Sequence, residues 1–395
     1  MTRFSTRTRL AVAFALLCSP RCAPLQAQQV PTWKATEMLR IDGDEKTFSQ
    51  IYMLLVYRDG SIAVLPGEPV VLWYDANGRA KGKFGREGEG PGEFRFINYA
   101  GLIGDTLWVN DFSLRRTTFI APNRKLLRSE RWPLGIGVAT PAGRTSFPAP
   151  LGLAPRVIYA DGDRLADPLL PPLMSHPSWY PKERGSLPII RLDTAGNFKK
   201  LLAVTPGMGP CNVFYNGPNS VGTPFCASNL SEIAADGSRI LFVMQQNREP
   251  LTPSYRIVTI GATGDTLLSR QYSYAPVPMS RAMADSAMLV LRTPSKHSQP
   301  QPGRSDAIDA LVVAKTVPPV VRLLAGRDGT TWVAEGGVGA ERSWLILDAR
   351  GDQVARVKLP RSFVPRVADG SQLWGIDSDD DGLQRVVRYR IGPGN

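Results

Sequence analysis

A repeated turn followed by a short β-rich run constrains this chain more than any other feature. Asp59-Gly60 precedes SIAVL, Gly104-Asp105 precedes TLWVN, and Asp236-Gly237 precedes SRILFV. Asp328-Gly329 precedes TTWVA and Asp369-Gly370 precedes SQLWGI, with a weaker copy at Asp161-Gly162. Each run is followed by a second β-rich segment with its own turn, at Asn77-Gly78, near Asn123, and at Ala195-Gly196, Thr263-Gly264 and Arg350-Gly351. Alternating apolar and polar residues make half-buried strands. Gly, Asn and Asp supply the positive-φ positions that tight hairpins need. A unit of about four short strands cannot bury both its faces alone, but units stacked radially can. The expected fold is therefore all-β, a six-bladed β-propeller. Its units run over about 48–95, 96–145, 150–206, 228–275, 318–360 and 361–393.

The last unit is one strand short, and Trp33–Ile41, WKATEMLRI, is a β-like run with no unit of its own. The N-terminal strand is expected to complete the final blade and join the termini. Insertions interrupt the repeat at about 165–188, 207–228 and 276–317. In the last of these, Ser280 is placed to cap a helix to about Arg292, with Met283, Ala287, Val290 and Leu291 on one stripe. Ser305 is placed to cap a second helix to about Lys315.

Residues 1–27 read as an export signal: Arg3, Arg7 and Arg9 precede a short apolar run, and Leu25-Gln26-Ala27 offers a cleavage point. The mature domain, 28–395, is expected outside the cytoplasm, periplasmic or extracellular, as a monomer without a transmembrane segment. The formal charge is +12, and loss of the signal removes four arginines and no acid. The remaining basic charge is dispersed, without a Lys/Arg block, so nucleic acid is not an expected partner. Export also removes Cys18 and Cys22. Cys211 and Cys226 remain in one Gly/Pro/Asn-rich stretch, where an oxidising compartment favours a disulfide over a metal pair. Such a cross-link constrains the unfolded chain by roughly 3 kcal/mol. Two histidines in the whole chain argue against a His-rich metal site or a His-dependent hydrolase, though not against Ca²⁺.

The candidate site residues are scattered. Gly85–Gly92, GREGEGPG, lacks the following helix that a phosphate cradle requires. It reads as a connection between blades, with Arg86, Glu87, Glu89 and Glu93 available to line a face. Asp111 with Arg115 and Arg116 reads as a surface ion pair or an edge for an acidic ligand. His176, Trp179 and Tyr180 either stack a ligand or pack a loop onto the propeller. Asp377, Asp379 and Asp381 alternate as in a Ca²⁺ loop, but Arg388 stands where an EF-hand needs Glu. A polar hairpin tip is the competing reading.

FGREGEGPGEF at Phe84–Phe94, DGTTWVAE at Asp328–Glu335 and LILDARGDQVARVKLP at Leu345–Pro360 resemble the bacterial six-bladed propellers of the NHL-repeat and TolB-like type. The resemblance implies the fold but not one function, because such propellers bind proteins, RNA or sugars and some are lyases or lactonases. The first expectation is a non-enzymatic, cofactor-free module that binds a protein, peptide or glycan at the cell envelope. The alternative is a propeller hydrolase or lyase with a metal such as Ca²⁺ in the central channel.

Overall fold

The computed structural model describes residues 30–394 apart from 44–47, 49, 141–142, 150–152, 169, 171–175, 184, 208, 217–218, 246–252 and 294–300. The expected export signal and its cleavage point lie outside the described residues.

The chain is all-β with few helices, in a propeller arrangement. The first sheet comprises Ile51–Val56, Ile62–Pro66, Val71–Tyr74 and Ala80–Phe84. The second comprises Ile97–Ile103, Thr106–Asp111, Arg116–Ile120 and Leu126–Arg131. The third is Val157–Ile158, Arg164–Ala166, Pro188–Leu192 and Phe198–Val204. The fourth is Leu230–Ile233, Arg239–Met244, Ser254–Gly261 and Thr266–Ser273. The fifth has eight strands. One half is Val320–Ala325, Thr331–Glu335, Glu341–Leu347 and Gln353–Pro360. The other is Val364–Asp369, Gln372–Ser378, Gln384–Pro393 and the N-terminal Thr32–Asp42. Thr32–Asp42 runs antiparallel to Gln384–Pro393 from Trp33↔Pro393 to Asp42↔Arg385. At its start it also meets Arg356 and Val357 in parallel, which joins the two halves.

Short side-chain bonds set the turns. The Asp59 carboxylate accepts from the Ser61 N–H at 2.9 Å, and Asp236 and Asp328 do the same for Ser238 and Thr330. The outer turns use Asp75, Asp193 and Asp348 in the same way. Each such Asx turn offers the backbone a local partner and leaves a following glycine at positive φ. At Gly351 (φ +80°) a Cβ would lie 2.7 Å from the Tyr272 hydroxyl, which donates to the Gly351 carbonyl at 2.8 Å. That glycine serves both turn geometry and close packing between sheets.

Buried clusters fill the space between successive sheets. Leu65, Val71 and Phe94 meet Leu107, Val109 and Ile120 between the first and second sheets. Trp108 and Phe119 meet Ile158 between the second and third. Leu165 and Ile189 meet Ile240 and Phe242 between the third and fourth. Leu241 and Ile257 meet Val333 and Leu345 at the fifth. Trp332 and Trp344 meet Leu373 and Val387 between its halves. Ile62 and Val64 meet Trp374, Ile376 and Val386 where last meets first. The repeated tryptophans of TLWVN, TTWVA and SQLWGI are Trp108, Trp332 and Trp374, each at most 2 % exposed.

The insertions depart from expectation in places. A hairpin, Gly135–Thr140 with Gly143–Pro148, follows the second sheet where no separate element was expected. Helix α1, Arg281–Arg292, is capped by the Ser280 hydroxyl, which accepts from the Met283 N–H. Its packed face includes Met288 and Leu291, whereas Val290 is 72 % exposed. Among the described residues its apolar side chains join a small cluster around Val221, Ala307 and Ile308, so its apolar contact is narrower than the sequence stripe. Helix α2, Arg304–Asp309, starts at Gly303 in the left-handed region, which places Ser305 inside the first turn and not at the cap.

Candidate functional site

Because each sheet runs up and down in chain order, its connections alternate between two faces. First-to-second and third-to-fourth connections share the lower face. They are tight turns, such as 57–61, 159–163 and 348–352. Second-to-third connections and those between sheets share the upper face. That face carries the hairpin of Gly135–Thr140 and Gly143–Pro148, the described residues between Ala166 and Pro188, a second hairpin at Asn212–Phe214 and Ser220–Gly222, and both helices. Cys211 and Cys226 form a disulfide there, with Cα atoms 5.5 Å apart, tying the start of the second hairpin to the chain beyond it.

All the sequence-predicted site residues fall on this face, and one set comes together. The Glu93 carboxylate accepts from the Gly90 N–H at 2.8 Å and from Arg86 at 2.8 Å. These bonds, the Gly90 one foremost, lower its pKa. Arg116 donates to the carbonyls of Glu89, Gly90 and Glu93 at 2.6–2.8 Å. Glu89 pairs with Arg95 at 2.7 Å, and Glu87 bridges the backbone of Phe94. Asp111 is fully buried and accepts from the N–H groups of Arg95 (2.6 Å) and Leu114 (2.8 Å). It is thus a loop anchor and not the surface ion pair expected with Arg115 and Arg116, because unpaired loop N–H groups surround its carboxylate. Arg115 takes φ +50°, and its carbonyl accepts from the Trp132 N–H at 2.9 Å. The knot binds itself together.

His176, Trp179 and Tyr180 pack onto the third sheet. Trp179 stacks on Phe198 with centroids 4.7 Å apart, His176 lies 4.4 Å from Tyr180, and the Tyr180 hydroxyl accepts from the Leu170 N–H. Asp377 pairs with Arg40 at 3.2 Å, Asp379 pairs with Arg385 at 2.6 Å, and Asp381 is exposed at the hairpin tip. Among the described residues no group of three His, Cys, Asp or Glu side chains is placed to share a metal.

A different set converges at the upper mouth of the central channel. The first strand of each sheet is innermost, and neighbouring inner strands contact one another between the first and second, second and third, and fourth and fifth sheets, between the halves of the fifth, and where last meets first. Glu232, Arg322 and Arg366 are each the third residue of their inner strands, LSEI, VVRLLA and VPRVAD. Arg156 immediately precedes the inner strand of the third sheet. Burial pushes the Glu232 carboxyl up to about 7, against the pull of Arg322, Arg156 and Arg366. Arg366 is pushed down by burial and by Arg322, with Glu232 opposing. Burial, Arg361 and Arg322 likewise depress Arg342. Arg156 lies 4.7 Å over the Tyr99 ring, bonds its hydroxyl, and stands 3.3 Å from Asp167. A bulge near the start of four inner strands falls at this level, with Tyr52, Asn98, Val321 and Arg366 as the extra residues. Bulges re-aim side chains at barrel rims. Sequence reasoning missed this set. The signal that could have found it is a charged residue, Glu or Arg, at the third position of three inner strands.

No family model matches the chain, and no curated protein is similar to it in sequence. Among solved structures, a member of the DUF4221 family from Bacteroides vulgatus is 10 % identical, with a TM-score of 0.53 over 93 % of this chain and all of that one. A catalytically inactive virginiamycin B lyase from Staphylococcus aureus, solved with quinupristin, is 10 % identical, with a TM-score of 0.42 over 91 % of this chain and 99 % of that one. The first shows likeness of fold alone, and the second adds no argument. No helix among the described residues is long and apolar enough to cross a membrane.

Proposed function

We propose that this chain is an exported six-bladed propeller that binds a protein, peptide or glycan at the cell envelope through its upper face. The blade count divides the eight-stranded sheet where Thr32 and Trp33 meet Arg356 and Val357. Each half then has four antiparallel strands like the other sheets. The observation that carries the binding role is the asymmetry of the faces. Among the described residues, both added hairpins, the disulfide and both helices lie on one side, while tight turns close the other. Loops held by a rigid scaffold are where binding residues concentrate. The charges at the axis support binding over metal-assisted hydrolysis or lyase chemistry, because one carboxyl among guanidiniums repels a divalent cation.

Photo-crosslinking residues test this reading in cells that make the protein. Placed at Val338 and Leu289, both exposed on the upper side, they should yield the same discrete adduct. Placed at Asp105 and Arg350 in lower turns, they should yield none. Equal adducts from both faces, or none from either, would remove the upper face as the binding surface.

A further inference from the structure

We propose that the upper mouth of the channel is an oxyanion site, in which Arg322 and Arg366 grip a carboxylate or phosphate group and Glu232 links its capture to proton uptake. This rests on the reading of the upper face as the binding face and deepens it.

The guanidiniums come from separate sheets, so no local turn requirement explains their meeting. Among the described residues, the side chains of Arg322 and Arg366 make no hydrogen bond and no ion pair. Arginines elsewhere that are partly or fully buried do: Arg116 and Arg239 are held by three backbone carbonyl bonds each, and Arg164 pairs with Glu130 at 2.9 Å. Arg366 is also repelled by Arg322. Arg322 is half-buried and Arg366 is exposed, so water screens part of their repulsion, but like charges set side by side without direct partners still form an arrangement that a bound anion would relieve. A guanidinium fork suits a carboxylate or a phosphate, and two forks suit a dianion. Arg156, steadied by Tyr99 and Asp167, adds positive potential from the third sheet, and Arg342 adds it behind Arg322.

Glu232 sets the pH response. Its side chain makes no hydrogen bond or ion pair among the described residues, and its carboxyl is pushed up to about 7 by burial. An arriving anion raises that pKa further, so binding takes up a proton and tightens as pH falls from 8 to 6. Folding has the same sign. The native state holds this proton more tightly than the unfolded chain, so the stability it contributes is full below about pH 4.5 and is lost as pH rises through about 7.

The test is calorimetric titration of the full mature chain with sulfate, inorganic phosphate and citrate. Sulfate does not itself titrate between pH 6 and 8 and so serves the pH series. The expected result is binding at or below the millimolar range, with sulfate affinity rising up to about tenfold per pH unit on acidification. Arg322→Ala and Arg366→Ala should each weaken binding about tenfold or more. Glu232→Gln should bind at least as tightly at pH 8 and lose the pH dependence. Citrate tighter than phosphate would mark a carboxylate ligand, and the reverse order a phosphate ligand. Should an alanine variant unfold, protection of Arg322 and Arg366 from phenylglyoxal by sulfate in the unchanged protein gives an independent reading. No binding of any of the three anions at 10-fold millimolar excess, undiminished binding in the alanine variants, or no protection would each overturn the site. Loss of the anion site with upper-face adducts retained leaves the binding face standing. Anion binding with adducts from both faces removes the broader reading instead.

Discussion

Gln245 is worth more to this ring than its place at a strand end suggests. It is 8 % exposed and lies between the fourth and fifth sheets. Its amide donates to the carbonyls of Ser228 (2.6 Å) and Val320 (3.0 Å) and accepts from the Val320 N–H at 2.9 Å. Those bonds start the Val320–Ala325 strand, whose ladder with its neighbour begins at Val320. Gln245→Ala would strand buried backbone groups, each costing about 1–3 kcal/mol when unpaired. The expected loss is about 2–3 kcal/mol in urea unfolding. An unchanged midpoint would refute the staple. Nothing local marks this residue, since its partners lie 17 and 75 positions away. The Asp-Gly turns were legible because donor, acceptor and glycine sit within a few residues of one another.

At the scale of elements, the N-terminal strand has the largest single consequence. Thr32–Asp42 covers the free edge of Gln384–Pro393 and contributes Trp33, Ala35 and Ile41 to two clusters. Arg40–Asp377 at 3.2 Å and Arg385–Asp42 at 3.0 Å fasten its upper end. The strand could be foreseen because one unit lacked a strand and one run lacked a unit. Removing residues 30–42 uncovers an edge and exposes side chains worth roughly 1.5–3 kcal/mol each when fully buried. The truncated chain should lose more than about 3 kcal/mol and aggregate on warming. A truncated protein that melts with its parent would show that the ring holds without it. The insertions were less legible, because their residues pack on one another and not on a repeating sheet. Val290 reads as part of an apolar stripe, yet among the described residues no element covers that side of α1.

For the whole molecule, a ring is only as firm as its thinnest seam. That seam lies between the second and third sheets. Among the described residues its apolar cluster has just Trp108, Phe119 and Ile158 buried, and the inner strand of the third sheet is two residues long. A crevice of about 190 Å³ opens beside it, lined by Ile103, Phe119, Leu127, Ile158 and Tyr159. Polar contacts take over part of the work: Arg164, 5 % exposed, reaches Glu130 across the gap, and Arg156 lies over Tyr99. Such pairs add little where water reaches them, so apolar area decides which seam opens first. The opposite part of the ring, 320–360, is bounded by a large cluster holding Trp332 and Trp344 on one side and by one of Tyr255, Tyr272 and buried Leu, Ile and Val residues on the other. Native-state hydrogen exchange should therefore show Val157–Ile158 and Arg164–Ala166 exchanging before Thr331–Glu335 and Glu341–Leu347. Uniform protection would mean that the polar contacts make good the missing core. If the order holds, the ring opens beside Arg156, so a ligand at the channel mouth that engages Arg156 together with Arg322 and Arg366 would clamp its weakest joint. Exchange at the third sheet should then slow when sulfate is added.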